Sequence, residues 1–405
     1  MQPVIAQPAA VPVAPVAQGV RLQSLDVLRG AVMLLLVFFD GPNGGWWAPI
    51  VEAHPDRPWL ESLLRQFEHV EWAGLALWDM IQPTFMLAVG ASLAFSYASR
   101  ARRGHSFWRM FGHAAYRALV LILLGVFLRS HAESTNWTFE DVVTQIGLGY
   151  VFLYLLWNRG WKLQLGVAAA ILVGYWALFA FWPAPAAGYD YAAVHGHAYY
   201  EGFWAHWNKN AHPAHYADQW FLNLFPRPEP FVANHGGYNT LNFVPSLATM
   251  IFGLMAGELL RSEATAKRKL MLLVAGGLTG LLLGLALHYG GVCPSVKKIW
   301  TPSFTLVSTG ITLLALAALY AIVDVAGWRR WAFPAVVVGM NSVAAYVMIH
   351  LIAVWILQTL LRHFGDYWFT LFGQPFRLLM ENVTVGACVW LICYWMYRRK
   401  LFLRV

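Results

Sequence analysis

Leu270-Met271-Leu272-Leu273-Val274-Ala275-Gly276-Gly277-Leu278-Thr279-Gly280-Leu281-Leu282-Leu283-Gly284-Leu285-Ala286-Leu287-His288-Tyr289 contains no acidic residue, lysine or arginine. As a helix this stretch rises about 30 Å, the thickness of a bilayer's hydrocarbon core. Lys267, Arg268 and Lys269 stand directly before it. An apolar run of that length with a basic flank reads as a transmembrane helix whose flank faces the cytoplasm.

Working outward, nine more apolar runs can be drawn: Leu25–Phe39, Trp72–Tyr97, Ala118–Leu128, Val142–Trp157, Leu163–Trp182, Leu241–Leu260, Phe304–Val323, Pro334–Leu357 and Leu378–Tyr397. Composition agrees. The chain is 59% hydrophobic and 12% charged, where a soluble domain carries about 25% charge. Its mean hydropathy is +0.51. Twenty-one Trp and seventeen Tyr suit the headgroup level of a bilayer, where amphipathic rings settle. The predicted fold is therefore an all-α polytopic membrane bundle of about ten transmembrane helices.

The net charge of +8 has the sign that nucleic acid attracts. The basic residues lie between apolar runs, however, so membrane lipid is the expected partner and nucleic acid is not. With the N-terminus inside, nineteen of the twenty-eight Lys and Arg fall in cytoplasmic segments. That bias predicts both ends inside. Lys297 and Lys298, a basic pair on the outer side, run against it. Met1 to Val20 lack a basic n-region and are broken by Pro and Gly, so residues 1–20 read as a disordered cytoplasmic tail and not a signal peptide. Residues 21–400 read as a single membrane domain, with long outer loops at about 41–71 and 183–240. The second loop is rich in Trp, Tyr and His and suggests a lid or a sugar-binding surface. Its histidines, His195, His197, His206, His212, His215 and His235, fit no zinc spacing. Cys293, Cys388 and Cys393 form no disulfide or zinc pattern. No metal is expected.

Ionisable groups at membrane depth usually face a cavity or a partner. Asp26 and Arg29 can pair across one helical turn. Glu258 and Arg261 read as a surface pair. Asp40 ends an apolar run of only fifteen residues, and Gly41-Pro42-Asn43-Gly44-Gly45 follows, so this helix is expected to unwind early and line a site. Asp79 stands four residues before Pro83, which leaves a backbone carbonyl free. His69 lies between Glu68 and Glu71, which could orient its ring. Asn341 and His350 share one apolar run.

The stretch Arg21-Leu22-Gln23-Ser24-Leu25-Asp26-Val27-Leu28-Arg29-Gly30 resembles the opening of the heparan-alpha-glucosaminide N-acetyltransferase family and its bacterial relatives. His69-Val70-Glu71-Trp72-Ala73-Gly74 is similar to the family's His-x-x-Trp-x-Gly element, and Asp79 to Pro83 to the Asp-x-x-x-Pro that follows. Tyr238-Asn239-Thr240-Leu241-Asn242 with Gly253 and Gly257 resembles its sixth core helix. Lys298-Ile299-Trp300-Thr301-Pro302-Ser303-Phe304 resembles its Lys-x-x-Trp-x-x-Ser element, which accounts for the outer basic pair. Gly339-Met340-Asn341-Ser342 and Tyr346 match its ninth helix. The motifs run in order from Arg21 to about Leu357.

The resemblance implies a membrane acyltransferase that carries an acetyl group from cytosolic acetyl-CoA to an amino sugar or glycan beyond the membrane. It implies a bacterial inner-membrane location, with a homodimer as the candidate assembly. The family's essential histidine falls on His69, with Asp40, Asp79 and Asn341 as further candidate catalytic residues. Asp40 departs from the family, which has Asn there. Arg29, Arg100, Arg103, Lys267 and Arg268 are candidates to hold the phosphates of acyl-CoA at the inner mouth, with Arg102 and Lys269 beside them. Without the resemblance, a transporter for sugars or lipid-linked intermediates fits the same buried carboxylates and interrupted helix.

Overall fold

The structure, a computed structural model, describes residues 22–131 and 133–403. The predicted tail at 1–20, Arg21 of the opening motif and Arg404 lie outside the described residues. Every predicted apolar run is helical. The long helices are α1 (Gln23–Phe39), α2 (Ile81–Arg102), α3 (Phe107–Leu128), α4 (Val142–Leu156), α5 (Trp161–Ala180), α7 (Phe243–Arg261), α8 (Ala266–Tyr289), α9 (Pro302–Leu319) and α13 (Arg377–Arg398). A helix in the long connection at 183–240, Pro213–Leu222, is α6. The ninth run is broken into α10 (Phe333–Gly339), α11 (Ser342–Leu351) and α12 (Ala353–Phe364).

Seven helical segments among the described residues are long and apolar enough to cross a membrane, or eight if the bent pair is one span. That pair, Arg330–Gly339 and Ser342–Leu351, is bent by 65°. The remaining two runs form shorter helices: α1 has 17 residues and α4 has 15.

Two boundaries differ from the sequence reading, each for a local reason. The second run forms helix later than Trp72, because the backbone N–H groups of Val70 and Ala76 turn in to the Asp79 carboxylate at 3.4 and 3.0 Å. The third run starts earlier than Ala118, because the Ser106 hydroxyl caps α3 by accepting from the N–H of Arg109 at 3.3 Å. Glu258 does not pair with Arg261. Its carboxylate takes the N–H of Asn158 at 2.8 Å and the amide of Gln164 at 3.1 Å, which ties α7 to the start of α5.

Helices in lipid associate by close packing, which favours small residues at crossings. At the α2–α7 crossing a Cβ on Gly90 would strike the carbonyl of Met250, and one on Gly253 would strike that of Leu87. Met86, Leu87, Met250 and Leu254 fill the centre of the bundle with no exposed surface. The deciding run, α8, turns Met271, Leu272, Leu278 and Leu282 outward, as a lipid-facing helix should.

The segment at 183–240, predicted as the second outer loop, is a packed roof. Trp72 donates its indole N–H to the carbonyl of Trp207 at 3.0 Å and stacks on Tyr199 with ring centroids 5.3 Å apart. Trp204 stacks on His288, with centroids 5.4 Å apart. On α6, His212 and His215 are fully buried. No group of three or more metal-ligating side chains occurs among the described residues.

Candidate active site

The turn before α2 folds around one carboxylate. Asp79 is buried and takes the Nδ1 of His69 at 2.7 Å, besides the two backbone N–H groups above. An Asp–His pair at that distance fixes the ring and, in the Nδ1–H tautomer, makes Nε2 the ring's acceptor. Burial holds the His69 imidazole below its usual value, opposed by the bond to Asp79 and aided by Lys297.

A second loop closes on the first. Gly74 donates its N–H to the carbonyl of Ser295 at 3.0 Å. Trp300 is driven into the core, its indole N–H 3.4 Å from the Thr249 hydroxyl. Its backbone turns at φ +47°, a conformation L-residues seldom adopt. Ser303 donates to the carbonyl of Pro294 at 2.8 Å, and the Thr301 hydroxyl accepts the N–H of Val296 at 2.9 Å. Pinned in this way, the loop aims Lys297 inward. Its Nζ lies 3.0 Å from Nδ1 and 3.4 Å from Nε2 of His69, and 3.5 Å from Oδ1 of Asp79. Burial pushes the Lys297 ammonium down to about 8, against the pull of Asp79. The lysine three residues before Trp300 is thus Lys297, one place before the Lys298 with which the sequence reading began that element.

Asp40 caps α1 at the same end. The chain unwinds after it, as expected, and docks on α13. Asn382 accepts the N–H of Asn43 at 3.2 Å and donates to its carbonyl at 2.9 Å, while the Asn43 amide donates to Glu381 at 2.6 Å. The charged groups nearest the Asp40 carboxylate are His350, His69, Arg129 and Lys297. Arg129, at the end of α3, donates its Nε to Asp141 at 2.9 Å. Tyr346 donates its hydroxyl to the same carboxylate, 2.9 and 3.1 Å from its two oxygens. The Nδ1 of His350 lies 2.8 Å from the carbonyl of Tyr346. Asp40 therefore stands between an Asp–His–Lys cluster and an Arg–Asp–Tyr cluster, at one end of the bundle.

The structure places Asn341 and the two glutamates away from the His69 ring nitrogens. Asn341 lies at the break before α11, where its side chain binds the carbonyl of Leu401 at 3.1 Å and the N–H of Leu403 at 3.2 Å. The adjacent Gly339 abuts the carbonyl of Asp26, near the opposite end of α1 from Asp40. Glu68 and Glu71 do not orient His69. Both are exposed, and Glu71 takes the hydroxyl of Tyr199 at 3.0 Å. The sequence reading assigned no role to Arg129 or Asp141. The signal for Asp141 was an acidic residue directly before an apolar run, where it caps α4 through the N–H of Val143 at 3.0 Å.

The basic candidates lie toward the far end of the bundle from His69. Arg29 bonds Asp26 at 2.5 Å. Arg100 bonds His113 at 2.7 Å and covers the Tyr97 ring. Arg103 turns back to the carbonyl of Ser99 at 3.3 Å. Arg102, Lys267 and Arg268 are exposed, whereas Lys269 is buried and caps α7 by donating to the carbonyl of Leu260 at 2.8 Å.

No family model matches the chain. It is similar to human and mouse heparan-alpha-glucosaminide N-acetyltransferase, at 25% identity over 433 aligned positions in each case. The alignment takes in 95% of this chain, and the chain spans 60% of the length of those relatives.

Proposed function

We propose, from the premise that this chain is a relative of the heparan-alpha-glucosaminide N-acetyltransferases, that it transfers an acyl group across a membrane. The donor is acetyl-CoA from the cytoplasm, and the acceptor is an amino sugar or glycan on the outer side. The observation that carries this reading is the 2.7 Å contact between His69 and Asp79 at one end of the bundle.

Acyl-CoA carries phosphates that cannot enter lipid. Arg29, Arg100, Arg103, Lys267 and Arg268, far from His69, would hold them as charge-assisted pairs. The thioester then reaches up the bundle toward His69. The acceptor enters from outside, and Asp40 holds its amino group. The amine nitrogen attacks the thioester carbonyl carbon. As the C–N bond forms, Nε2 of His69 takes the amine proton. The C–S bond breaks, and the sulfur leaves as the CoA thiolate, which takes up a proton. The nineteen-to-nine split of basic residues supports a cytoplasmic inner mouth.

His69→Ala is expected to lower transfer by about 10²–10⁴-fold, the usual weight of an acid–base group, while acetyl-CoA still binds. The assay pairs calorimetric binding of acetyl-CoA with mass detection of acetylated glucosamine. Retained transfer in the variant would remove His69 from the mechanism. A wild-type protein that binds no CoA would favour the transporter reading, which the bent ninth run also suits.

A further inference from the structure

Lys297 takes no step in the reaction just described, yet its side chain is 5% exposed. Burying an ammonium is costly unless it does something the fold needs. Pairing Asp79 is not enough reason, since that carboxylate already accepts from His69 and two backbone N–H groups. The position of Nζ is more telling. It lies within 3.4 Å of both ring nitrogens of His69. The Tyr238 ring, with its centroid 5.9 Å from Nζ, holds the ammonium in place.

We propose that Lys297 is a positioning residue that keeps His69 neutral, so that Nε2 offers a lone pair to the incoming amine at neutral pH. This rests on the reading of His69 as the base. The charged groups facing the imidazole are Asp79 from the turn before α2, Lys297 and Lys298 from the loop before α9, and Asp40 from the end of α1. Asp79 alone would draw a second proton onto the ring, because a carboxylate in contact favours the imidazolium. The Lys297 charge, at nearly the same distance, offsets it. The downward shifts of both groups agree with that balance. The same contact serves the second half of the reaction. Once His69 has taken the amine proton, the imidazolium sits against an ammonium. That repulsion makes it a ready donor to the departing thiolate.

The test follows the ring and not the product. Diethyl pyrocarbonate modifies only neutral imidazoles, so its yield at the His69 peptide against pH gives a midpoint. Purified full-length protein in detergent serves for all variants. In the wild type the midpoint should fall below about 6.5, the ordinary imidazole value. Lys297→Met should raise it by about one unit or more, and Lys297→Arg should keep it near the wild-type value. Asp79→Asn, which leaves the lysine unopposed, should lower it. An unchanged or lowered midpoint in Lys297→Met overturns the proposal. If that variant does not fold, an unchanged or raised midpoint in Asp79→Asn overturns it. Because the readout needs no acyl transfer, a protein without transferase activity would sink the proposed function and still leave this inference to be judged on the midpoints.

Discussion

His69 and Asp79 are ten residues apart, and the loop between them wraps the carboxylate so that three donors meet it. Chain neighbours were the weaker guide. Glu68 has extended backbone, φ −127° and ψ 154°, and successive side chains on extended backbone point to opposite sides. Proximity along the chain therefore placed the wrong carboxylates beside the ring. Asp79→Ala should lower turnover by about 10²-fold or more, since an unoriented base loses most of its worth. Glu68→Gln and Glu71→Gln should stay within about twofold of wild type, as surface changes do. Steady-state rates of the three variants decide this, and a large loss in Glu71→Gln would restore the rejected pairing. Sequence reasoning could flag Asp40 and Asp79 singly, because each is out of place in an apolar setting, and His69 through its flanking glutamates and the family resemblance. It could not join them, because tertiary contacts across 228 residues, as between His69 and Lys297, leave no local trace. Lys297 did leave one: with Lys298 it formed a basic pair on the side that the charge rule predicts to be outer.

At the scale of elements, helices were legible wherever hydropathy alone decides, as in α8. The break before α11 was not. Asn341 and Ser342 are polar within an otherwise apolar run, but polarity alone does not mark a turn; the chain turns at Asn341, φ −125° and ψ 35°, where the side chain bonds the C-terminal segment. Helix α6 was not assigned because it lies in a loop read as irregular. It brings a pH dependence with it. Burial lowers His212 to about 3 and His215 to about 4. Both folded values lie below the unfolded imidazole value of about 6.5. The fold therefore holds its full stability above pH ~6.5 and loses it progressively as pH falls toward ~4. The melting temperature of purified protein should drop across that window, and His215→Phe should flatten the slope. A melting temperature as high at pH 4.5 as at pH 7 would refute the account.

For the whole molecule, orientation remains a matter of charge, and exposure shows where to probe it. Ser106, after α2, and Ala187, in the roof, are both exposed, whereas Ala211 is buried and would label poorly. With a cysteine at each position in turn, an impermeant maleimide added to intact cells should label Ala187→Cys and spare Ser106→Cys. The reverse pattern would invert the topology and put His69 in the cytoplasm. One further property concerns synthesis. Helix α1 is secured by residues made much later: the Asp324 carboxylate receives the N–H groups of Gln23 and Ser24, each at 3.1 Å, and Asn382 and Glu381 hold the chain just past Asp40. A ribosome must therefore add about 285 residues beyond Phe39 before Asp324 exists, and about 340 before Glu381 and Asn382 do. Until then the first N–H groups of α1 lack the Asp324 carboxylate and the chain past Asp40 lacks its hold on α13, so a nascent chain released short of α13 has the His69–Asp79 pair but an unsecured Asp40.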